Sequence, residues 1–101
     1  MSRLSIANEC KSALVSRGDG ALLRRAIESH WSDSEQLVLD FADVRVASVS
    51  FFDESFGMLA KRHSIDELTK RIKVENIDPS DRALLNRIVL SRSRERSAAT
   101  G

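Results

Sequence analysis

The sequence predicts an α/β domain, with a mixed sheet of four or five strands and three or four helices. Three observations carry that expectation. Leu37-Val38-Leu39-Asp40-Phe41 is apolar on both faces of an extended chain, as in a strand covered on two sides by helices. Apolar stripes at helical spacing lie before and after it, which makes βαβ units. Arg71 to Ile77 alternates cleanly, with Ile72 and Val74 on one side and Arg71, Lys73 and Glu75 on the other.

Length and composition bound the class. A chain of 101 residues is one domain with a single modest core. Hydrophobic residues at 42% and charged residues at 31% fit a globular chain rather than a disordered one. The net charge of +1 argues against nucleic acid as the partner. A single cysteine, Cys10, excludes an internal disulfide and fits a reducing compartment. No apolar run approaches the ~20 residues of a membrane span. Asn8, Glu9 and Lys11 interrupt any signal-peptide core, so the expected location is cytoplasmic, with no membrane partner.

In chain order, Leu4 and Ile6 alternate with Ser5 and Ala7 as a weak first strand. Cys10 to Val15 is open between a second strand and an irregular link. Ser16-Arg17-Gly18-Asp19-Gly20 reads as a turn, followed by a helix over about Ala21 to His30 with Leu22, Leu23, Ala26 and Ile27 as its stripe. Trp31 to Gln36 is a loop into the Leu37–Phe41 strand. A brief extended stretch passes through Val44 and Val46. Ser50 then opens a helix with capping-box spacing to Asp53, and Phe52, Phe56 and Leu59 recur at i, i+4, i+7. Asp53 and Glu54 suit the N-terminal end of its dipole, and Lys61, Arg62 and His63 the C-terminal end. Ser64 and Glu67 repeat the capping spacing for a short helix ending near Lys70. Asp78-Pro79-Ser80-Asp81 is the strongest helix start, with an acid at N-cap and proline at N1. Leu84, Leu85, Ile88 and Val89 give that helix its apolar side, and it is expected to fray after Leu90. Residues 1–90 thus form the domain, and 91–101, with Arg92, Arg94 and Arg96, a disordered basic tail.

No complete catalytic set is present, so no enzymatic activity is expected. Cys10, His30 and His63 lack metal-ligand spacing, and Gly18-Asp19-Gly20 lacks the rest of a phosphate loop, so no metal or cofactor is expected. Asp53 and Glu54 are adjacent on a helix and diverge by about 100°, so they cannot share one substrate atom. Asp40, at the carboxyl end of a strand, stands where open α/β sheets hold small ligands or nucleotides. Ser48 and Ser50 lie at the strand-to-helix junction. Capping alone explains Ser50, but a phosphoserine there would add nearly two negative charges at a helix N-terminus that stabilises them.

At this junction the chain resembles the STAS superfamily, the fold of bacterial anti-sigma factor antagonists, through Val38-Leu39-Asp40-Phe41, Val44 and Ala47-Ser48-Val49-Ser50. More closely it is similar to the prokaryotic STAS-like domain family of unknown function. Ser16-Arg17, Asp40-Phe41, Phe51-Phe52-Asp53-Glu54-Ser55-Phe56 and Asn76 carry that resemblance, which covers roughly Leu4 to Leu90. Aligned on Asp40 and Val44, Val49 falls on the phosphoacceptor of switched antagonists and Ser50 on the next serine. Phe51 replaces their glycine. The resemblance implies a regulatory, signal-transducing protein-interaction module. Its partner would be a histidine-kinase-like ATPase acting in trans, because 101 residues leave no room for one. The docking edge would run from Ser48 through Ser50, Asp53 and Glu54 to Phe56, with Arg17 and Asn76 near it.

Overall fold

The computed structural model describes residues 2–9, 16–31 and 36–100; Cys10 and the open Cys10–Val15 segment lie outside them. Three strands are present among the described residues: β1 (Ser2–Ser5), β2 (Leu37–Asp40) and β3 (Ile72–Glu75). All are parallel in the order β1-β2-β3, with Leu4 beside Leu39 and Leu39 beside Val74. The helices are a single turn α1 (Ile6–Glu9), α2 (Arg17–Ser29), α3 (49–62), α4 (Ile65–Arg71) and α5 (Pro79–Thr100).

Among the described residues the sheet is thus parallel and three-stranded, against the expected mixed sheet of four or five strands. Val44 and Val46 form no strand, because the Val46 and Ala47 amides donate to the Asp81 carboxylate at 2.7 and 2.8 Å instead of to a neighbouring strand. Asp43 and Ala47 also adopt positive φ, which breaks an extended run. The expectation of helices on both faces is corrected by strand order. Each strand follows the last in one direction across the sheet, so two right-handed crossovers put their helices on the same face. That face carries Leu37, Leu39 and Ile72, which join Leu23, Ile27, Phe51, Phe52, Phe56, Leu59, Leu85 and Ile88 in the core. The other carries Arg3, Val38, Asp40, Lys73 and Glu75 by strand alternation.

Two helix starts follow the sequence closely. Ser64 Oγ accepts from the Glu67 amide at 3.2 Å, and Asp78 Oδ2 accepts from the Ser80 amide at 3.0 Å. Two others shift. α2 begins at Arg17 rather than Ala21, because Ser16 Oγ caps the Asp19 amide at 3.0 Å and turns the glycine-rich stretch into a first helical turn. α3 is capped by Ser48, not Ser50: its Oγ accepts from Phe51 at 3.2 Å. α5 passes the expected end at Leu90 and continues to Thr100. Arg92 supplies the reason. It lies on the same helical face as Asp81, Leu85 and Ile88, and it is tied to Asp53 on α3 and to Glu95 one turn on.

Trp31 closes the far end of the domain. It stacks on His63 with ring centroids 4.2 Å apart, and Arg71 lies over its indole while donating to its carbonyl.

Candidate functional site

The centre of the site is a widened turn in α3. Asp53–Gly57 is a π-helical segment between α-helical flanks. Such a turn displaces backbone carbonyls from their usual amides, and side chains take up two of them. Ser55 Oγ donates to the Phe51 carbonyl at 2.7 Å, and Arg24 from α2 donates to the Glu54 carbonyl at 2.7 Å.

Glycine lets both neighbouring helices close on this turn. A Cβ on Gly20 of α2 would lie 2.5 Å from the Phe51 carbonyl oxygen. A Cβ on Gly57 would lie 2.7 Å from Asp53 Oδ1 and 3.1 Å from Ile88 of α5. α3 is thus clasped between α2, which comes to backbone distance, and α5, which packs the Ile88 side chain against Gly57.

Asp53 is buried within this clasp. Arg92 forks onto it, Nε to Oδ1 at 2.6 Å and a terminal nitrogen to Oδ2 at 2.8 Å. Arg17 reaches the same Oδ2 at 3.3 Å from the opposite side. The Arg92 guanidinium first, and Arg17 after it, hold the Asp53 carboxyl below the usual aspartate range, against the opposing effect of burial. Asp53 was expected to present its charge to a partner at the start of α3. The structure instead uses it internally, as the pin joining α2, α3 and α5. Glu54 is half-buried beside it, 3.6 Å from Arg17 and 3.4 Å from Arg24.

What remains outward at the start of α3 is Val49, 58% exposed, with Ser50 half-buried at the second helical position. A shallow cleft of about 360 Å³ adjoins them, lined by Arg17, Val49, Asp53, Ile88, Ser91 and Arg92. Ser48 is buried as the cap.

Asp40 and Asn76 form a separate cluster on the sheet. Asp40 Oδ1 accepts from Asn76 Nδ2 and from the Ala42 amide, both at 2.9 Å, and Oδ2 accepts from Arg3 at 3.1 Å. Arg3 also donates to Glu75 at 2.7 Å, so one guanidinium bridges β2 and β3 from β1. Asn76, and then the Ala42 amide and Arg3, lower the Asp40 carboxyl below its ordinary range. Asn76 takes positive φ, which an asparagine tolerates, and so ends β3 beside Asp40. Both Asp40 oxygens are already occupied by the protein. Of the residues expected near the docking edge, the structure groups Arg17, Asp53 and Glu54, and it places Asn76 with Asp40 instead.

Sequence reasoning gave Arg24 and Arg3 no role, placed Arg92 in a basic tail and read Asp81 only as part of a helix start. Arg92 had a signal: Asp81, Leu85, Ile88 and Arg92 continue one stripe at i, i+4, i+7, i+11. The other three act across long sequence separations and left none. Among the described residues no group of histidine, cysteine and acids could hold a metal, and no helix is long and apolar enough to cross a membrane.

These features define a small parallel α/β domain organised by a strand-to-helix corner with a π-widened turn. The chain belongs to the family of STAS-like domains of unknown function (DUF4325), whose model matches residues 19–82 and so spans β2, α3, α4, β3 and nearly all of α2. No curated protein and no solved structure matches the chain.

Proposed function

We propose that this domain is a non-enzymatic regulatory module that binds a partner protein through the start of α3. One observation carries the reading: Val49, an apolar side chain more than half exposed, stands at the mouth of the cleft walled by Arg17, Ile88 and Ser91. The position is the one that, by the STAS resemblance, holds the phosphoacceptor of switched antagonists. An apolar anchor with cationic and acidic groups around it suits a protein surface better than a small metabolite. Asp53 serves this surface indirectly, by fixing Arg17 and Arg92 in place. The partner class is a histidine-kinase-like ATPase acting in trans, a choice that rests on the family resemblance. Ser50 is the proposed phosphoacceptor. A phosphate there gains from the helix N-terminus and changes the charge next to Val49. Nucleotide binding at Asp40 is the weaker reading, because Arg3, Asn76 and the Ala42 amide already engage both carboxylate oxygens.

The test is a binding titration against the histidine-kinase-like ATPases encoded by the source genome. Wild-type chain is expected to bind one of them, with Val49→Arg weakening it at least about tenfold, roughly 1.4 kcal/mol, while the circular-dichroism melt stays unchanged. Binding to none, or equal binding by Val49→Arg, contradicts the proposal. Incubation of that pair with ATP followed by intact mass tests the phosphate: one added phosphate, lost in Ser50→Ala, is expected.

A further inference from the structure

Among the described residues β3 is an edge strand, and its outer side is fitted to a copy of itself. The Glu75 carbonyl accepts from Phe41 at 2.9 Å, so the peptide groups of Glu75, and by alternation of Lys73, face β2. Those of Ile72 and Val74 then face outward. The Ile72 N–H is taken by the Leu68 carbonyl at the end of α4, and Arg82 donates to the Val74 carbonyl at 3.4 Å, engaging one of its two lone pairs. Among the described residues, the Val74 N–H, the Ile72 carbonyl and the second lone pair of the Val74 carbonyl are left at the edge. No proline or bulge blunts this strand.

Beside the edge lies an apolar groove of about 370 Å³, lined by Leu68 of α4, Ile72 and Val74 of β3, and Leu85, Val89 and Leu90 of α5. Leu90 is 48% exposed. The other edge, β1, reads Ser-Arg-Leu-Ser and lines neither cavity.

We propose that β3 pairs antiparallel with β3 of a second copy, Val74 opposite Val74, joining two three-stranded sheets into one of six. Charge selects the register, because centring the pair on Lys73 would set Lys73 against Lys73. With Val74 on the two-fold axis, the outward N–H and carbonyl of each Val74 bond the other's. Lys73 then stands opposite the partner's Glu75, and Glu75 opposite the partner's Lys73. This places two opposite-charge pairs on the sheet's polar face. Lys73 and Glu75 are 3.5 Å apart within one chain, and the Lys73 side chain is 56% exposed and able to reach across. On the other face the partner's Ile72 and Val74 sit against the groove and cover it. Shifting the register by one residue gives up both charge pairs and turns the partner's apolar side chains to the polar face.

The test is sedimentation velocity of the full chain from about 10 µM to about 1 mM, the range a short edge contact is expected to span, together with Val74 amide exchange. Wild type is expected to dimerise with concentration, and its Val74 amide to lose protection on dilution. Val74→Pro removes the outward N–H and replaces the isopropyl group by the smaller proline ring, a substitution that edge strands accept, and is expected to leave a folded monomer. Lys73→Glu is expected to be monomeric, and Lys73→Glu with Glu75→Lys to dimerise again, because the swap restores both pairs. Circular-dichroism melts confirm that each variant is folded. If wild type stays monomeric throughout, or groups other than a second copy occupy the groove, the proposal is overturned. It is equally overturned by a dimer that survives Val74→Pro, or by a charge swap that fails to rescue.

Discussion

Gly57 and Asp53 should be energetically coupled, and the sign of a single substitution should invert with its partner. Gly57 has helical φ of −60°, so alanine there would normally stabilise the helix by about 1 kcal/mol. In this protein the new methyl would meet Asp53 Oδ1 at 2.7 Å and Ile88 at 3.1 Å. The aspartate cannot step aside, because Arg92 holds both of its oxygens. Overpacking of this kind costs about 1–3 kcal/mol, and a loosened ion pair adds to it. Gly57→Ala is therefore expected to destabilise by about 2 kcal/mol, a fall in Tm of roughly 8–16 °C at about 4–8 °C per kcal/mol. Asp53→Ala alone should cost about 1–3 kcal/mol, less than a fully buried pair, because Arg92 can turn toward solvent. With Asp53 already alanine, the Ile88 contact and an ordinary one to Arg92 Cγ at 3.4 Å remain, and Gly57→Ala should stabilise by about 0.5 kcal/mol. The coupling is then about 2.5 kcal/mol, well beyond the few tenths expected of independent sites. Urea unfolding of the four proteins measures it, with equal m-values confirming a common two-state transition. Additive effects, or a stabilising Gly57→Ala in the parent, would refute the clasp as described.

Four further outcomes follow from the same geometry. Asp81→Ala frees the Val46 and Ala47 amides from a carboxylate that is 1% exposed, and should cost about 3 kcal/mol by urea unfolding. Ala47→Gly relieves a φ of 49° and should stabilise by about 1 kcal/mol in the same assay. Truncation after Leu90 removes Arg92 and should destabilise about as much as Arg92→Ala, whereas an uncoupled tail would cost nothing. The Asp53 carboxyl titrates lower folded than unfolded, so its stabilising effect is complete above the unfolded aspartate pKa of about 4 and is lost as pH falls below it. Unfolding curves from pH 7 to pH 3 should show that loss in the parent and a shallower one in Asp53→Asn.

The parts of this fold legible in the sequence are those set within one turn or one strand. Ser64 with Glu67 and Asp78 with Pro79 announce their helices because capping needs only local geometry. The Leu37–Phe41 run announces a buried strand for the same reason. Ser48 and Ser50 were equally able to cap, and spacing to Asp53 favoured Ser50. What decided for Ser48 is Asp81, which pins the preceding amides from 34 and 35 residues away. Gly18 and Gly20 looked like a turn, yet Gly20 serves the approach of α2 to the Phe51 carbonyl inside a helix. Asp53 read as a dipole residue because Arg92 lies 39 residues on, in a stretch with few apolar neighbours. Strand order, which puts all the crossover helices on one face, is a global property that no single segment encodes.

The central claim is that the start of α3 meets another protein. Photo-cross-linking tests it most directly, with a photoreactive residue at Val49 and a control at Leu22, an equally exposed apolar position on α2. Both chains are expressed at native level in the source cells, and the adducts are identified by mass. The account expects one ATPase adduct at position 49, absent from position 22 and lost when Glu54→Lys is added. No adduct at position 49, or the same adducts at both positions, would contradict it.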